Sequence, residues 1–438
     1  MTNIASKPGI RRRLVNVEAS ANPAAPWDDR FAVLLGLACM AVWAGFALRQ
    51  WWDFWPSDLS ALYFAAYFFA EGSYAEVYAS PQNFFGQDYP KSWTDLATRF
   101  GHPDKQVFPY IYPPLWAALF APLAESAGPQ AFFNAAYAWH IALMSLAPVL
   151  AYRIMRPAIG FDAFALISAS LLATSVISTQ ALFQNQQQIT VAVLVLFAFE
   201  RVLSGHQVAG GALLGLAAAM KLSPIVLVVL FLLERQYRAA TACFVVLSAL
   251  GGLSVAVAGL DLHFVFVERL ATVSQQLLIA NLNLSLESVL FQLATFFDTG
   301  RLPSATGEML ALTPPDWLEP IKLGIFALGL LALLAMSHKV ARGARLRNRF
   351  AMLSLWVTLC APLSWTHHYL AVLFLVPGLI GRLALARALL IVLGFAVWFS
   401  DANFYRIHQA QYALDWTVPI SVALLSGLAV IFARMRSD

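Results

Sequence analysis

Four short segments of this chain carry side chains that could do chemistry in an otherwise apolar sequence. Asp58 follows the aromatic run Trp51-Trp52-Asp53-Phe54-Trp55. A carboxylate ringed by aromatics has a raised pKa and suits a general base acting on a hydroxyl. The plainer alternative is a cap on a surface helix starting at Leu59. Asp53 competes with it but sits deeper in the aromatic belt. Gln184-Asn185-Gln186-Gln187-Gln188 interrupts an apolar stretch. Amides can bond sugar hydroxyls or phosphate oxygens, or can simply make a polar turn between two membrane spans. Lys221-Leu222-Ser223-Pro224 sets a compact cation among apolar residues, suited either to a phosphate group or to snorkelling toward an interface. Ser364-Trp365-Thr366-His367-His368-Tyr369 pairs two histidines that could donate to a phosphate, shuttle a proton, bind a metal or merely sit at an interface. Neighbours on a helix point about 100° apart, so one site rarely uses both, and no further ligands complete a zinc pattern. Asn281, Asn283 and Ser285 are weaker candidates.

Membrane helices must position these segments. The chain has 438 residues, is 60% hydrophobic and 12% charged, and has a mean hydropathy of +0.67. A soluble protein carries about a quarter charged residues. Apolar runs of about 20 residues recur along the whole length, as expected of an all-α polytopic membrane protein. Spans are predicted at 31–50, 130–152, 162–181, 187–202, 206–220, 222–234, 238–257, 318–337, 348–364, 368–382, 386–400 and 416–433. The first run lacks a small-residue cleavage site and ends in Trp51-Trp52, so it reads as a retained span rather than a signal peptide. Pro113 to Leu123 is short and proline-bounded, and reads as a juxtamembrane or re-entrant helix rather than a thirteenth span. Two outer segments, about 51–129 and 258–317, read as helices lying on the membrane surface, with one or two amphipathic helices from Phe264 to Phe297. Cys39, Cys243 and Cys360 lie in apolar runs and read as buried, without a redox or metal signal.

Charge distribution tests the topology. Nineteen of the 28 Lys and Arg, but only seven of the 24 Asp and Glu, fall on the proposed inner side. The inner side is thus +12 and the outer side −8, which sum to the formal +4. Asp58, Gln184, Asn185, Lys221, Asn283, His367 and His368 then all lie at outer ends. Polar groups are costly in a bilayer, so their gathering on one face is a functional-site hypothesis. A flippase for lipid-linked sugars would instead need polar groups through the middle of the membrane and an inner-facing site.

The ordered motifs resemble the membrane-embedded GT-C glycosyltransferases of family 87, the polyprenyl-phosphate-mannose-dependent mannosyltransferases. Asp58 with Tyr63, Ala65-Ala66, Gly72 and Tyr78 is similar to the family's first outer loop. Tyr110-Ile111-Tyr112-Pro113-Pro114-Leu115 resembles its Tyr-Pro-Pro segment, and Gly210-Gly211 running into Lys221-Leu222-Ser223-Pro224 its glycine-lysine-proline hairpin. Asn283-Leu284-Ser285-Leu286 resembles the second outer loop, and Ser364-Trp365-Thr366-His367-His368 the Ser-Trp-x-His-His segment. Two departures stand out. The family's Gly-Gln-x-Asn is Phe183-Gln184-Asn185-Gln186 here, so its Asn falls on Gln186, and the usual acid after Trp is Thr366.

The resemblance implies a GT-C-like bundle of about 12 transmembrane helices over 31–438, following a cytoplasmic tail at 1–30. It implies Asp58 as catalytic base, with Lys221 and His367 or His368 facing a donor phosphate. Tyr63, Tyr112, Gln184, Asn185, Gln186, Asn283 and Ser285 are expected near the substrates. The expected reaction is inverting transfer of a sugar, mannose first, from a polyprenyl phosphate to a lipid or glycan acceptor, with no cofactor, metal or nucleic acid. The expected place is a bacterial inner membrane, with both termini cytoplasmic and the active site facing the periplasm. A pentose or glucose donor is an open alternative.

Overall fold

Residues 29–79, 89–300, 302, 310–410 and 416–435 are described by the structure, a computed structural model. Most of the tail expected at 1–30 lies outside the described residues. Among those described, the architecture is almost wholly helical, and the protein is an all-α membrane protein. Five helices are long and apolar enough to cross a bilayer: Arg30–Trp51, Pro129–Met155, Tyr237–Ser274, Leu318–His338 and Thr417–Arg434. Phe161–Thr174, Gln207–Met220, Ser223–Leu233, Thr366–Leu379 and Leu385–Trp398 are shorter apolar helical stretches. Large apolar side chains point outward on many of them, among them Phe31, Val42, Leu328 and Leu390. Outward apolar surface of this kind suits contact with lipid rather than water.

Local sequence sets the ends and breaks. The Asp29 carboxylate accepts from the Phe31 and Ala32 amides and starts the first helix. Ser175 interrupts the predicted span at 162–181. Its backbone is extended, and its hydroxyl caps the following helix, Val176–Phe183, by accepting from the Ile177 amide. Pro224 and Pro377 fall in the first turn of 3-10 segments, so the predicted spans 222–234 and 368–382 begin or end outside α-helical geometry.

Three expectations change. The span predicted at 238–257 and the outer helix predicted from Phe264 form one element, Tyr237–Ser274, broken at Gly259 with φ 75°. Beyond it the second outer segment contains an antiparallel strand pair, Leu277–Ile279 with Leu310–Leu312, ahead of and behind the helix Leu286–Thr299. Cys243 is buried, but Cys39 and Cys360 are partly exposed, because an apolar run in a bilayer need not be covered by protein.

The segment Pro114–Ser126 is a helix that packs against Ser57–Ala70 and Tyr237–Ser274. The first outer segment and the start of the second share one aromatic core, in which Tyr78 lies 6.0 Å from Phe266 between ring centroids. Below it, Gln207–Met220 is wedged between Gln188–Leu203 and Tyr237–Ser274. A Cβ on Gly211 would stand 2.0 Å from the Ala239 carbonyl oxygen, and one on Gly215 2.5 Å from that of Cys243. Backbone-to-backbone approach of this kind is how small residues pack helices in membranes. It fixes the helix whose end carries Lys221.

Candidate active site

Asp58 is the second residue of the helix Ser57–Ala70, whose N-cap is Pro56. The carboxylate does not cap this helix, because the helix begins one residue before it. The Asp58 amide, one of the first-turn donors a helix leaves open, donates to Gln184 Oε1 at 3.2 Å. Gln186 Nε2 donates to Asp58 Oδ2. The Tyr112 hydroxyl in turn donates to Gln186 Oε1 at 3.2 Å. Burial raises the Asp58 pKa to about 7, against the Gln186 hydrogen bond and the Lys221 charge, which lower it. Asp53, the competing acid, is engaged with Asn134, which donates to its Oδ1 at 2.8 Å.

Lys221 ends the helix Gln207–Met220 in an extended conformation, two residues before the 3-10 turn at Ser223. Its Nζ donates to Gln188 Oε1 at 3.1 Å and lies 2.7 Å from His368 Nε2. His368 Nδ1 lies 3.1 Å from the Leu363 carbonyl oxygen. A carbonyl only accepts, so Nδ1 carries the proton and the bare Nε2 accepts from the ammonium. His368 is therefore neutral while it holds Lys221. Burial lowers the lysine's pKa to about 8, and the nearby Asp58 charge opposes that. Each of the two charges thus feels the other.

The histidines occupy a 3-10 turn, Thr366–Tyr369, and meet edge to face with centroids 4.7 Å apart. Of the two, it is His368 that bonds Lys221. This segment is stitched to the second outer segment. Asn283 Oδ1 accepts from the Ser364 amide at 2.8 Å, the Leu284 amide donates to Ser364 O at 2.8 Å, and the Thr366 amide donates to Leu282 O at 2.9 Å.

The structure thus forms two hydrogen-bonded groups, Asp58 with Tyr112, Gln184 and Gln186, and Lys221 with His368, close enough for the two charges to interact, with His367 beside His368. Gln188 joins them and was visible only as the last amide of its run. Other expected substrate contacts have their polar atoms spent elsewhere. The Tyr63 hydroxyl donates to Ala127 O at 2.9 Å within the aromatic core. Asn185 is buried with φ 47°, its Oδ1 2.6 Å from His140 Nδ1 and its Nδ2 donating to Phe133 O. The Asn283 amide also donates to Leu278 O at 2.8 Å, and Ser285 caps the next helix by accepting from the Ser288 amide.

Electrostatically the cluster can hold a proton acceptor on one side and a cation on the other, which suits transfer of a group between a hydroxyl and an anionic leaving group. The family model of glycosyltransferase family 87 matches residues 110–366, more than half of the 438. The matched range contains Tyr112, the amide run, Lys221 and Asn283. His367 and His368 lie just past its end and Asp58 lies 52 residues before its start, and Asp58 and His368 join it through the contacts above. No curated protein and no solved structure matches the chain. The chain belongs to glycosyltransferase family 87, and the protein is a membrane glycosyltransferase.

Proposed function

We propose that this glycosyltransferase moves a sugar, mannose by the family resemblance, from a polyprenyl phosphate to an acceptor hydroxyl at the outer face of a bacterial inner membrane. One observation carries the reading: a carboxylate held by the Gln186 amide lies near enough to feel the charge of a half-buried lysine that is held by a neutral histidine. The Gln186 bond occupies Asp58 Oδ2, leaving Oδ1 for the acceptor. Asp58 takes the hydroxyl proton as the oxygen attacks the anomeric carbon. The bond from that carbon to the phosphate oxygen breaks, and its electrons leave with the phosphate. Lys221 stabilises the growing negative charge, and His368 fixes the ammonium. One base and one displacement give inversion, whereas retention by double displacement needs a second, nucleophilic group. A β-linked donor would give an α-glycoside.

The test uses purified protein in lipid with labelled polyprenyl-phosphate mannose and a lipid extract from the source organism. Parent protein should pass label into a new product and release polyprenyl phosphate, while Asp58→Asn should not. Normal turnover by that variant would remove Asp58 as the base. Transfer from a pentose or glucose donor, with mannose inert, would reassign the sugar and keep the mechanism.

A further inference from the structure

The end of the bundle opposite Asp58 carries a concave basic surface that glycosyl transfer does not use. The helix Arg342–Cys360 runs from this end to the Ser364–His368 segment, so its start lies a full helix length from the histidines. Here Met336, Lys339, Val340, Ala341, Arg387 and Arg434 line an open cavity of about 870 Å³. The three cations come from separate elements. Lys339 follows the helix Leu318–His338, Arg387 lies in the first turn of Leu385–Trp398, and Arg434 ends Thr417–Arg434.

These cations converge on one cavity without a counter-charge in its lining. Among the described residues, no carboxylate lines it. Three other basic residues at this end are paired: Arg153 and Arg201 with Glu200 at 2.7 and 2.5 Å, Arg349 with Glu234 at 2.6 Å. Among the described residues, Lys339, Arg387 and Arg434 make no such ion pair. Arg434 Nε instead turns to the Met336 thioether at 3.2 Å, a weak acceptor for a guanidinium. Two helices also begin at the cavity, after Ala341 and Ala384, and neither has a side-chain cap. Their open first-turn amides add to the positive field.

We propose that this cavity binds the phosphate headgroup of an anionic phospholipid in the leaflet opposite the Asp58 cluster. The helix surfaces that run on from the cavity favour a lipid over a free anion. Leu328 and Leu331 on one helix, and Leu385, Leu389 and Leu390 on another, are exposed and give acyl chains an apolar surface. Basic pockets between helices on the cytoplasmic side bind lipid headgroups elsewhere by the same physics. Only the naming of that leaflet as cytoplasmic depends on the orientation proposed above.

Full-length protein reconstituted in phosphatidylcholine with a minor share of phosphatidylglycerol would be extracted gently, and its retained lipids counted by native mass spectrometry. Phosphatidylglycerol should be retained in preference to phosphatidylcholine. Lys339→Gln, Arg387→Gln and Arg434→Gln should each weaken retention roughly fivefold, and the triple variant by about 100-fold. A charge-matched control, Arg30→Gln with Arg235→Gln and Arg238→Gln, removes as much charge from residues that do not line the cavity and should retain the lipid. Equal retention by the two triple variants, or equal retention of the two lipids, overturns the site. Displacement of the lipid by excess inorganic phosphate overturns the lipid assignment in favour of a free-anion site. The single variants keep the test decisive if the triple variant unfolds. Transfer activity is not the readout, so failure of the proposed reaction leaves this measurement intact.

Discussion

Two charge clusters, one toward each end of the bundle, treat charge in opposite ways. In the cluster opposite Asp58, Glu200 is almost fully buried between Arg153 and Arg201, and Glu234 bonds Arg349, itself almost fully buried. Both of these carboxylates meet a guanidinium directly, so the charges are spent on each other. In the active-site cluster, the Asp58 carboxylate is bonded by the side-chain amide of Gln186, while Lys221 is bonded by Gln188 and the neutral His368. Neutral partners hold these two charges in place without cancelling them. Burial without cancellation is what pushes the pKa of Asp58 up and that of Lys221 down. A structural charge is paired, and a working charge is positioned.

Substitutions can break this contrast, and they rank by effect on turnover. Asp58→Asn should cost about 10³-fold or more in transfer, the range of a lost general base. Lys221→Gln should cost roughly 10²–10³-fold, as a removed electrostatic stabiliser does. Measured against pH, parent turnover should be bell-shaped. It should rise as Asp58 ionises near 7 and fall as Lys221 loses its proton near 8, with apparent values that belong to the coupled pair. Lys221→Gln should lose the alkaline limb; if that limb persists in the residual activity, Lys221 is not its source. Gln186→Leu should slow transfer roughly tenfold and move the acid limb upward, because the lost hydrogen bond had favoured the carboxylate. An unmoved acid limb would place Gln186 outside the base's environment. Glu234→Gln, in the cluster opposite Asp58, should leave the turnover of folded protein unchanged while destabilising the fold by about 3 kcal/mol, the cost of leaving Arg349 buried without its partner. A thermal unfolding scan beside an activity assay would separate the two effects.

Much of this was legible in the sequence. Membrane helices follow from composition, because a run of about 20 apolar residues has few other destinies. The cluster was legible because Asp58, Lys221 and His368 are costly residues placed at the ends of such runs. What was not legible is direction. Gln184, Asn185 and Gln186 are neighbours of similar chemistry, yet Asn185 turns inward to His140 while the flanking amides meet Asp58. The left-handed backbone at Asn185 decides this, and nothing in five consecutive amides announces it. The strand pair escaped for a different reason: Leu277–Ile279 and Leu310–Leu312 are short, wholly apolar and distant in sequence, so neither alternates. The identity of the useful histidine depends on Lys221, a partner 147 residues away.

The close approach at Gly211 and Gly215 carries a last consequence. Lys221 stands ten residues beyond Gly211, about 15 Å along a helix. Where its ammonium points is therefore governed by two sites that possess no side chain. Adding one methyl group there would swing the lever arm and carry the cation off target, although every reactive group would still be present. The absence of atoms deep in the bundle is as much a part of this enzyme's aim as the amine at its tip.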